Sequence, residues 1–263
     1  FGWDLGRDHA AVANGLLTGH LLECGGQLTG GYFADGAKKP VPDLAHLGFP
    51  YADVTSDGHA VYRKLPGTGG RLDEATVVEQ LLYEIDDPAA YITPDGTLDL
   101  RTVQIDEIAP DTVAVHGARV ASRPDQLKVS VGIDDGFLAT AVIVYAGTGC
   151  QARAEMAARI IAERWVDVHH RPADEMECHF IGMTSTRPWW QPDTAYEPPE
   201  VRMRATVRTL DPAVAALLGE EMEALYTNGP AGGGGVLSEV RQTVGLVSTL
   251  IPRSLVSTHF EVL

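Results

Sequence analysis

The order of residue periodicities between residue 137 and the C-terminus constrains the fold of this chain most strongly. Stretches of alternating apolar residues, which are typical of strands, are separated by two stretches with helical spacing. The order strand, helix, strand, strand, helix, strand is that of a ferredoxin-like βαββαβ sandwich, in which two helices pack on one face of an antiparallel sheet. The predicted elements are a strand over 137–145, a helix over 151–166, strands over 177–184 and 201–210, a helix from Asp211 to about residue 226, and a strand over 239–249.

The first half of the chain combines helices with hairpins. Leucines at helical spacing predict a helix over 8–24, and Asp73 is expected to cap a second helix. The turn sequences Asp57-Gly58 and Asp134-Asp135-Gly136 each predict a hairpin. We therefore predict an α+β fold, with an antiparallel or mixed sheet and helices packed on one face. The expected domains are residues 1–100, a helix and glycine-rich loop region that remains from an upstream α/β domain, and residues 101–263, an α+β sandwich.

The charge and the cysteines of the chain limit its partners. The formal net charge is −16 at pH 7 and the basic residues are scattered, so neither nucleic acid nor an anionic membrane is an expected partner. Cys24, Cys150 and Cys178 are an odd number at wide spacing, which excludes a disulfide framework and indicates the reducing cytoplasm. Because the sequence contains no CxxC pair and no dinucleotide fingerprint, neither a metal nor another cofactor is expected.

Two features predict contacts with other polypeptide. The chain opens with FGWDLGRDH, without a methionine, so we expect it to be the interior of a longer protein whose upstream segment packs against it. The tandem Trp189-Trp190 lies between prolines, and exposing it would be costly in a soluble monomer. We therefore expect either a homo-oligomer or an association with the upstream segment.

The densest polar cluster of the chain is TGHLLECGGQLTGGYFADG, residues 18–36. His20 and Cys24 are four residues apart and share one face of the predicted helix, so His20 could serve the Cys24 thiol as a base. The negative end of the helix dipole disfavours a thiolate at this position, which makes Glu23 the stronger candidate for acid/base chemistry. The alternative is structural: a packed thiol, a core histidine with satisfied hydrogen bonds, and a solvated glutamate.

Two glycine-rich loops are candidates for binding an anionic group. In PGTGG the residues Gly67, Thr68, Gly69 and Gly70 precede a predicted helix, so their backbone N–H groups could point at one oxyanion. The loop lacks the spacing and the Lys-Ser/Thr pair of a Walker A motif, and the alternative is a plain tight connector. The run TNGPAGGGG contributes Asn228, Gly232, Gly233 and Gly234 as candidates for contact with a ligand or an interface.

Five segments in fixed order carry a resemblance to a known family. They are GHLLECGGQLTGGYFADG, VPDLAHLGFP, PGTGG with EQLLYEIDDPAAYITPD, RPDQLKVSVGIDDGF, and EALYTNGPAGGGG. Together they span essentially the whole chain, which resembles the acyclic terpene utilisation protein A family. The resemblance implies a role in bacterial gene clusters that degrade acyclic terpenes such as citronellol and geraniol.

Two hypotheses for function follow from the residues and the resemblance. The first is an enzyme, or the larger part of one, that acts on a branched isoprenoid acyl compound by acid/base chemistry of the hydratase or lyase type. A CoA thioester is one candidate form of this compound. Glu23 is its main candidate and Cys24 its second. The alternative is a non-catalytic subunit that supports other enzymes of the pathway. Convergence of Glu23, Cys24 and the glycine loops on one pocket would favour the enzyme.

Overall fold

A computed structural model describes residues 1–186 and 197–259, so Trp189-Trp190 lies outside the described residues. The described part contains helices and antiparallel sheets, which confirms the α+β class. Its helices are α1 His9–Glu23, α2 Glu74–Leu82, α3 Cys150–Asp167 and α4 Pro212–Asn228. Its strands are β1 Pro50–Val54, β2 Ala60–Lys64, β3 Tyr91–Ile92, β4 Thr97–Asp99, β5 Gln104–Ala109, β6 Thr112–His116, β7 Arg119–Val120, β8 Gln126–Ala146, β9 Met176–Ile181, β10 Glu200–Thr209 and β11 Gly234–Pro252.

The chain forms two compact units. The first comprises residues 1–128 together with 250–263, and the second comprises residues 129–249. The expected domain division between residues 100 and 101 lies inside the first unit and stays a prediction. None of the helices in the described residues is long and apolar enough to span a membrane.

The first unit contains a four-stranded sheet in the order β1-β2-β6-β5 and a three-stranded sheet in the order β3-β4-β7. The hairpin predicted at Asp57-Gly58 is confirmed, because β1 and β2 pair with Val54 opposite Ala60. Gly58 has φ +86°, and a Cβ at this position would lie 2.8 Å from the Ala11 Cα. Glycine is therefore required both by the turn and by the close approach of α1.

A capping signal fixes the start of α2, and both helices of the first unit contribute to its core. Asp73 caps α2: its side chain accepts a hydrogen bond from the Thr76 N–H at 3.1 Å, and the Thr76 hydroxyl accepts one from the Asp73 N–H at 3.1 Å. This capping box confirms the predicted start of the helix. The leucines of α1 and Val77 of α2 lie in one buried apolar cluster together with residues of the sheets. The core of the unit is thus shared by helices and strands.

The second unit is a sheet in the order β11-β8-β10-β9 with two helices on one face. Alternate residues of β10 are fully buried against side chains of α3 and α4, while the residues between them point to the other face. Asp211 caps α4 by accepting the Ala213 N–H at 2.8 Å, as the Asp-Pro start predicted. The elements follow one another as β8, α3, β9, β10, α4 and β11. Their assignment as a ferredoxin-like sandwich stays a prediction.

The hairpin predicted at Asp134-Asp135-Gly136 is wrong, because β8 runs without a break from Gln126 to Ala146. Gly136 has φ +71° and donates its N–H to Asp134 Oδ1 at 3.1 Å, which is local turn-like geometry inside a strand. The hydroxyl of Thr243 on β11 donates to the Asp135 carbonyl oxygen at 3.1 Å, and this hydrogen bond stabilises the irregular backbone beside β11. The same residues that favour a turn thus form a bulge-like kink once a partner strand is present.

Candidate functional site

The C-terminal ends of α1 and α2 meet in the first unit. His20, in the last turn of α1, has its Nε2 3.1 Å from the carbonyl oxygen of Leu81, near the end of α2. In return, Gln80 donates from Nε2 to the His20 carbonyl oxygen at 2.9 Å. The carbonyls at a helix C-terminus have no partner within their own helix, so each helix supplies a donor for the other. Both negative helix ends consequently lie beside His20.

Glu23 completes the hydrogen bonding of the His20 ring. Its Oε1 lies 2.8 Å from His20 Nδ1. The two side chains differ sharply in exposure, because His20 is 2% exposed and Glu23 is 48% exposed. The ring of Tyr91 packs against the imidazole with a centroid separation of 5.0 Å. His20 is therefore a core histidine with both nitrogens engaged, and Glu23 connects it to the surface.

Cys24 follows Glu23 as the C-cap residue of α1 and is partly buried. Both ring nitrogens of His20 are directed at Glu23 and Leu81. In this geometry His20 does not act as a base for the Cys24 thiol. The predicted thiol–imidazole pair is thus not formed, although helical spacing does place both residues in the same region.

Three residues that sequence reasoning missed extend the cluster: Tyr83, Glu84 and Tyr91. The charge of Glu84 and a hydrogen bond to it raise the pKa of Tyr83, and Cys24 and Tyr32 contribute in the same direction. Burial raises the pKa of Tyr91, and the charges of Glu23 and Glu84 add to this effect. All three missed residues lie in the segment EQLLYEIDDPAAYITPD, directly after the apolar face of α2 ends.

Glu84 of this cluster and Tyr32, which packs against Tyr83, adopt a backbone conformation that is uncommon for non-glycine residues. Glu84 has φ +57° and Tyr32 has φ +61°. The Tyr32 and Tyr83 rings meet edge to face at 6.0 Å. Left-handed non-glycine residues are costly and are concentrated at functional sites, so this pair independently marks the region. We name the cluster of His20, Glu23, Cys24, Tyr83, Glu84 and Tyr91 the helix-end cluster.

A buried threonine links the loop between α1 and β1 to the loop before α2. Thr29 is fully buried, and its Oγ1 lies 2.6 Å from the Gly48 carbonyl oxygen and 3.1 Å from that of Gly26. Its own carbonyl oxygen accepts the Arg71 N–H at 3.0 Å. The loop between α1 and β1 and the loop before α2 are therefore held together by hydrogen bonds at Thr29.

The PGTGG loop belongs to the segment before α2 that Thr29 links to the α1–β1 loop. Gly69 donates its N–H to the His46 carbonyl oxygen and Gly70 donates to that of Pro42, each at 2.8 Å, while the Thr68 N–H donates to Leu65 at 3.3 Å. A Cβ on Gly69 would lie 1.8 Å from the Asp43 carbonyl oxygen. The close approach of the Asp43 backbone therefore requires a glycine at position 69. An anion at this loop would have to displace protein carbonyls, and its binding by Gly67, Thr68, Gly69 and Gly70 stays a prediction.

The second glycine run, TNGPAGGGG, lies in the second unit. Asn228 is the last residue of α4, and Gly229 donates its N–H to the Leu225 carbonyl oxygen at 3.1 Å. A Cβ on Gly233 would lie 2.9 Å from Ile143 Cδ1, so this glycine allows the loop to pass close to β8. Gly232 has φ +77°, and Gly234 begins β11. A ligand contact at Asn228, Gly232, Gly233 and Gly234 stays a prediction.

A buried carboxylate organises the helices of the second unit. Glu221 on α4 accepts hydrogen bonds from Arg164 Nε at 2.5 Å and Nη2 at 2.9 Å, and its Oε1 lies 2.8 Å from His169 Nε2. The Arg164 hydrogen bond lowers the pKa of Glu221 against the effect of burial, and His169 adds to the lowering. Within residues 1–186 and 197–259, no three histidine, cysteine or acidic side chains come together as a metal site.

Comparison with known protein families gives a match over nearly the whole chain. A family model described as "Acyclic terpene utilisation family protein AtuA" matches residues 1–262. No curated protein and no solved structure matches the chain significantly. The family match covers both units, and it includes every residue of the helix-end cluster.

Proposed function

We infer that this chain, which belongs to the acyclic terpene utilisation family AtuA, is an enzyme. We propose that it acts on a branched acyl compound by acid/base chemistry at the helix-end cluster. Membership of the family indicates involvement in acyclic terpene utilisation. The reaction and its site are the proposal, and they are argued from the residues of the first unit.

One observation carries the proposal: a half-exposed carboxylate bonded to a buried imidazole. Glu23 lies 2.8 Å from His20 Nδ1, yet 48% of its side chain remains accessible. A positioned side chain that exchanges a proton with a reacting group must be held in place and must also be reachable. Glu23 meets both conditions. Cys24 is the second candidate of the cluster, although its place at a helix C-terminus disfavours the thiolate.

The proposed chemistry is addition of water to a carbon–carbon double bond next to the acyl group, or its reverse. One carboxylate removes a proton from water while the water oxygen bonds to the β-carbon, and one acid delivers a proton to the α-carbon. Water is the only co-reactant, so the step requires no electron carrier. Glu23 and Glu84 provide the two carboxyl groups, and the charge of each raises the pKa of Tyr91.

A CoA thioester is the proposed form of the substrate, because acyl chains are commonly carried in that form. Its phosphates would meet the loop of Gly67, Thr68, Gly69 and Gly70, whose amide donors would exchange carbonyl acceptors for phosphate oxygens. This loop is joined through Thr29 to the loop that follows α1. The proposed phosphate loop and Glu23 therefore belong to one connected part of the first unit.

The test is the Glu23→Gln variant in an assay for conversion of isoprenoid acyl compounds, supplied both as free acids and as CoA thioesters. We expect conversion to fall about 100-fold or more, because the amide cannot exchange the proton. Glu79→Gln on α2 is the matched control and should convert normally.

Unchanged conversion by a folded Glu23→Gln protein would remove Glu23 from the reaction. If the unaltered protein also lacked activity yet terpene use depended on it, the non-catalytic subunit would be the better description. Conversion of the free acids alone would exclude the thioester.

A further inference from the structure

The hydrogen bonds of His20 require one more proton than a neutral histidine and an ionised glutamate provide. The Leu81 carbonyl oxygen can only accept, so His20 Nε2 carries a proton. A neutral imidazole has one N–H group, which would leave Nδ1 as an acceptor. Glu23 Oε1 lies 2.8 Å from Nδ1, and an ionised carboxylate is also only an acceptor. Two acceptors at this distance repel, so a proton must lie between them.

The surroundings favour that extra proton. His20 lies in the last turn of α1 and contacts the last turn of α2, so the negative ends of two helices face the ring. The charged group that contacts the ring directly is Glu23, and Glu84 adds negative charge at the neighbouring Tyr91. Gln80, which also packs here, is neutral. A buried imidazolium is costly unless it is paired, and each of these features compensates its positive charge.

We propose that His20 and Glu23 form a proton-holding pair, with His20 as the positioning residue and Glu23 as the group that delivers the proton. This inference rests on the proposed function, and it decides that Glu23 acts as the acid. The extra proton passes from His20 Nδ1 to Glu23 and from Glu23 to the α-carbon of the substrate, which leaves a neutral ring and an ionised Glu23. The proton that the base removes from the attacking water returns through solvent to the pair. Glu84 is left as the base.

A second pair in the same unit provides an internal control. His46 Nδ1 lies 2.8 Å from Asp43 Oδ1, again at a separation of three residues. Its ring is 79% exposed, in contrast to that of His20. Water can therefore solvate either protonation state of His46, and its geometry does not fix a proton.

The experiment is NMR of the full chain labelled with ¹⁵N at the histidine rings, at neutral pH and with no ligand. We expect His20 to show two protonated ring nitrogens, or one together with a ¹³C shift of Glu23 that reports a protonated carboxyl. We expect Glu23→Gln to convert His20 into the neutral Nε2–H form, because the glutamine amide can donate to Nδ1. The His46 signals should not change.

A singly protonated His20 ring beside an ionised Glu23 would overturn the inference. Its failure is distinct from failure of the proposed function. If conversion required Glu23 but no extra proton were found, the enzyme would stand and Glu23 would act as the base. If the proton were found but conversion did not depend on Glu23, the pair would be structural.

Discussion

Each unit pairs a histidine with a glutamate, but the two pairs are buried in opposite ways. In the first unit the histidine is hidden and the carboxylate of Glu23 is 48% exposed. In the second unit the carboxylate of Glu221 is 7% exposed, and its histidine partner, His169, is 17% exposed. The carboxylate of Glu23 is thus accessible to solvent, and the carboxylate of Glu221 is enclosed.

This difference separates the proposed site from a structural ion pair. The carboxylate oxygens of Glu221 form a two-point contact with Arg164 and a hydrogen bond with His169. Such a carboxylate is held ionised and has little capacity left for a substrate. Glu23 has a single protein partner among the contacts described above, and the rest of its side chain faces solvent. Burial of the carboxylate, rather than the presence of histidine, distinguishes the two.

The largest expected effect is the loss of Glu221. Glu221→Ala leaves Arg164 and His169 without their shared acceptor, and we expect the free energy of unfolding to fall by about 3 kcal/mol. The measurement is urea denaturation followed by circular dichroism. Glu220→Ala on the exposed side of the same helix is the control, with an expected change of about 0.5 kcal/mol or less. Equal effects in both variants would show that the enclosed pair does not stabilise α3 against α4.

A smaller effect is expected from the contact between the two helix ends of the first unit. Gln80→Met removes the donor to the His20 carbonyl oxygen while it keeps the volume of the side chain. We expect a loss of about 1 kcal/mol of unfolding free energy. The same variant should leave the protonation of His20 unchanged in the NMR experiment, because the ring contacts are retained. A change in that protonation would mean that Gln80 belongs to the proton-holding pair itself.

The smallest expected effect is on the acid dependence of stability. The folded-state pKa of Glu221 lies below the ordinary value of 4.5, chiefly because Arg164 donates to it. The stability from this shift is fully present above pH 4.5 and is lost as the pH falls through the lowered pKa. Glu221→Gln should therefore flatten the decline of stability in acid, as measured by urea midpoints over that range. An unchanged slope would assign the acid sensitivity to other carboxylates.

Short-range features of the fold were predictable from the sequence. The cap at Asp73, the hairpin at Asp57-Gly58 and the helix start at Asp211 each depend on residues that are close in the chain, and all three occur. The family match likewise confirms what ordered motifs indicated. The helical spacing also placed His20 and its neighbours in one region, but the predicted partner of His20 was Cys24, whereas the structure pairs it with Glu23.

Contacts between distant residues were decided by the tertiary structure. His20 finds its second partner at Leu81, 61 residues away, and this contact turns a candidate base for Cys24 into part of a proton-holding pair. The kink at Gly136 became part of one long strand because β11 lies beside it. Gly69 is required by the backbone of Asp43, which spacing within PGTGG does not reveal. In each case the chemistry of a residue depends on which carbonyl or strand lies next to it, and the sequence specifies that neighbour only through the fold as a whole.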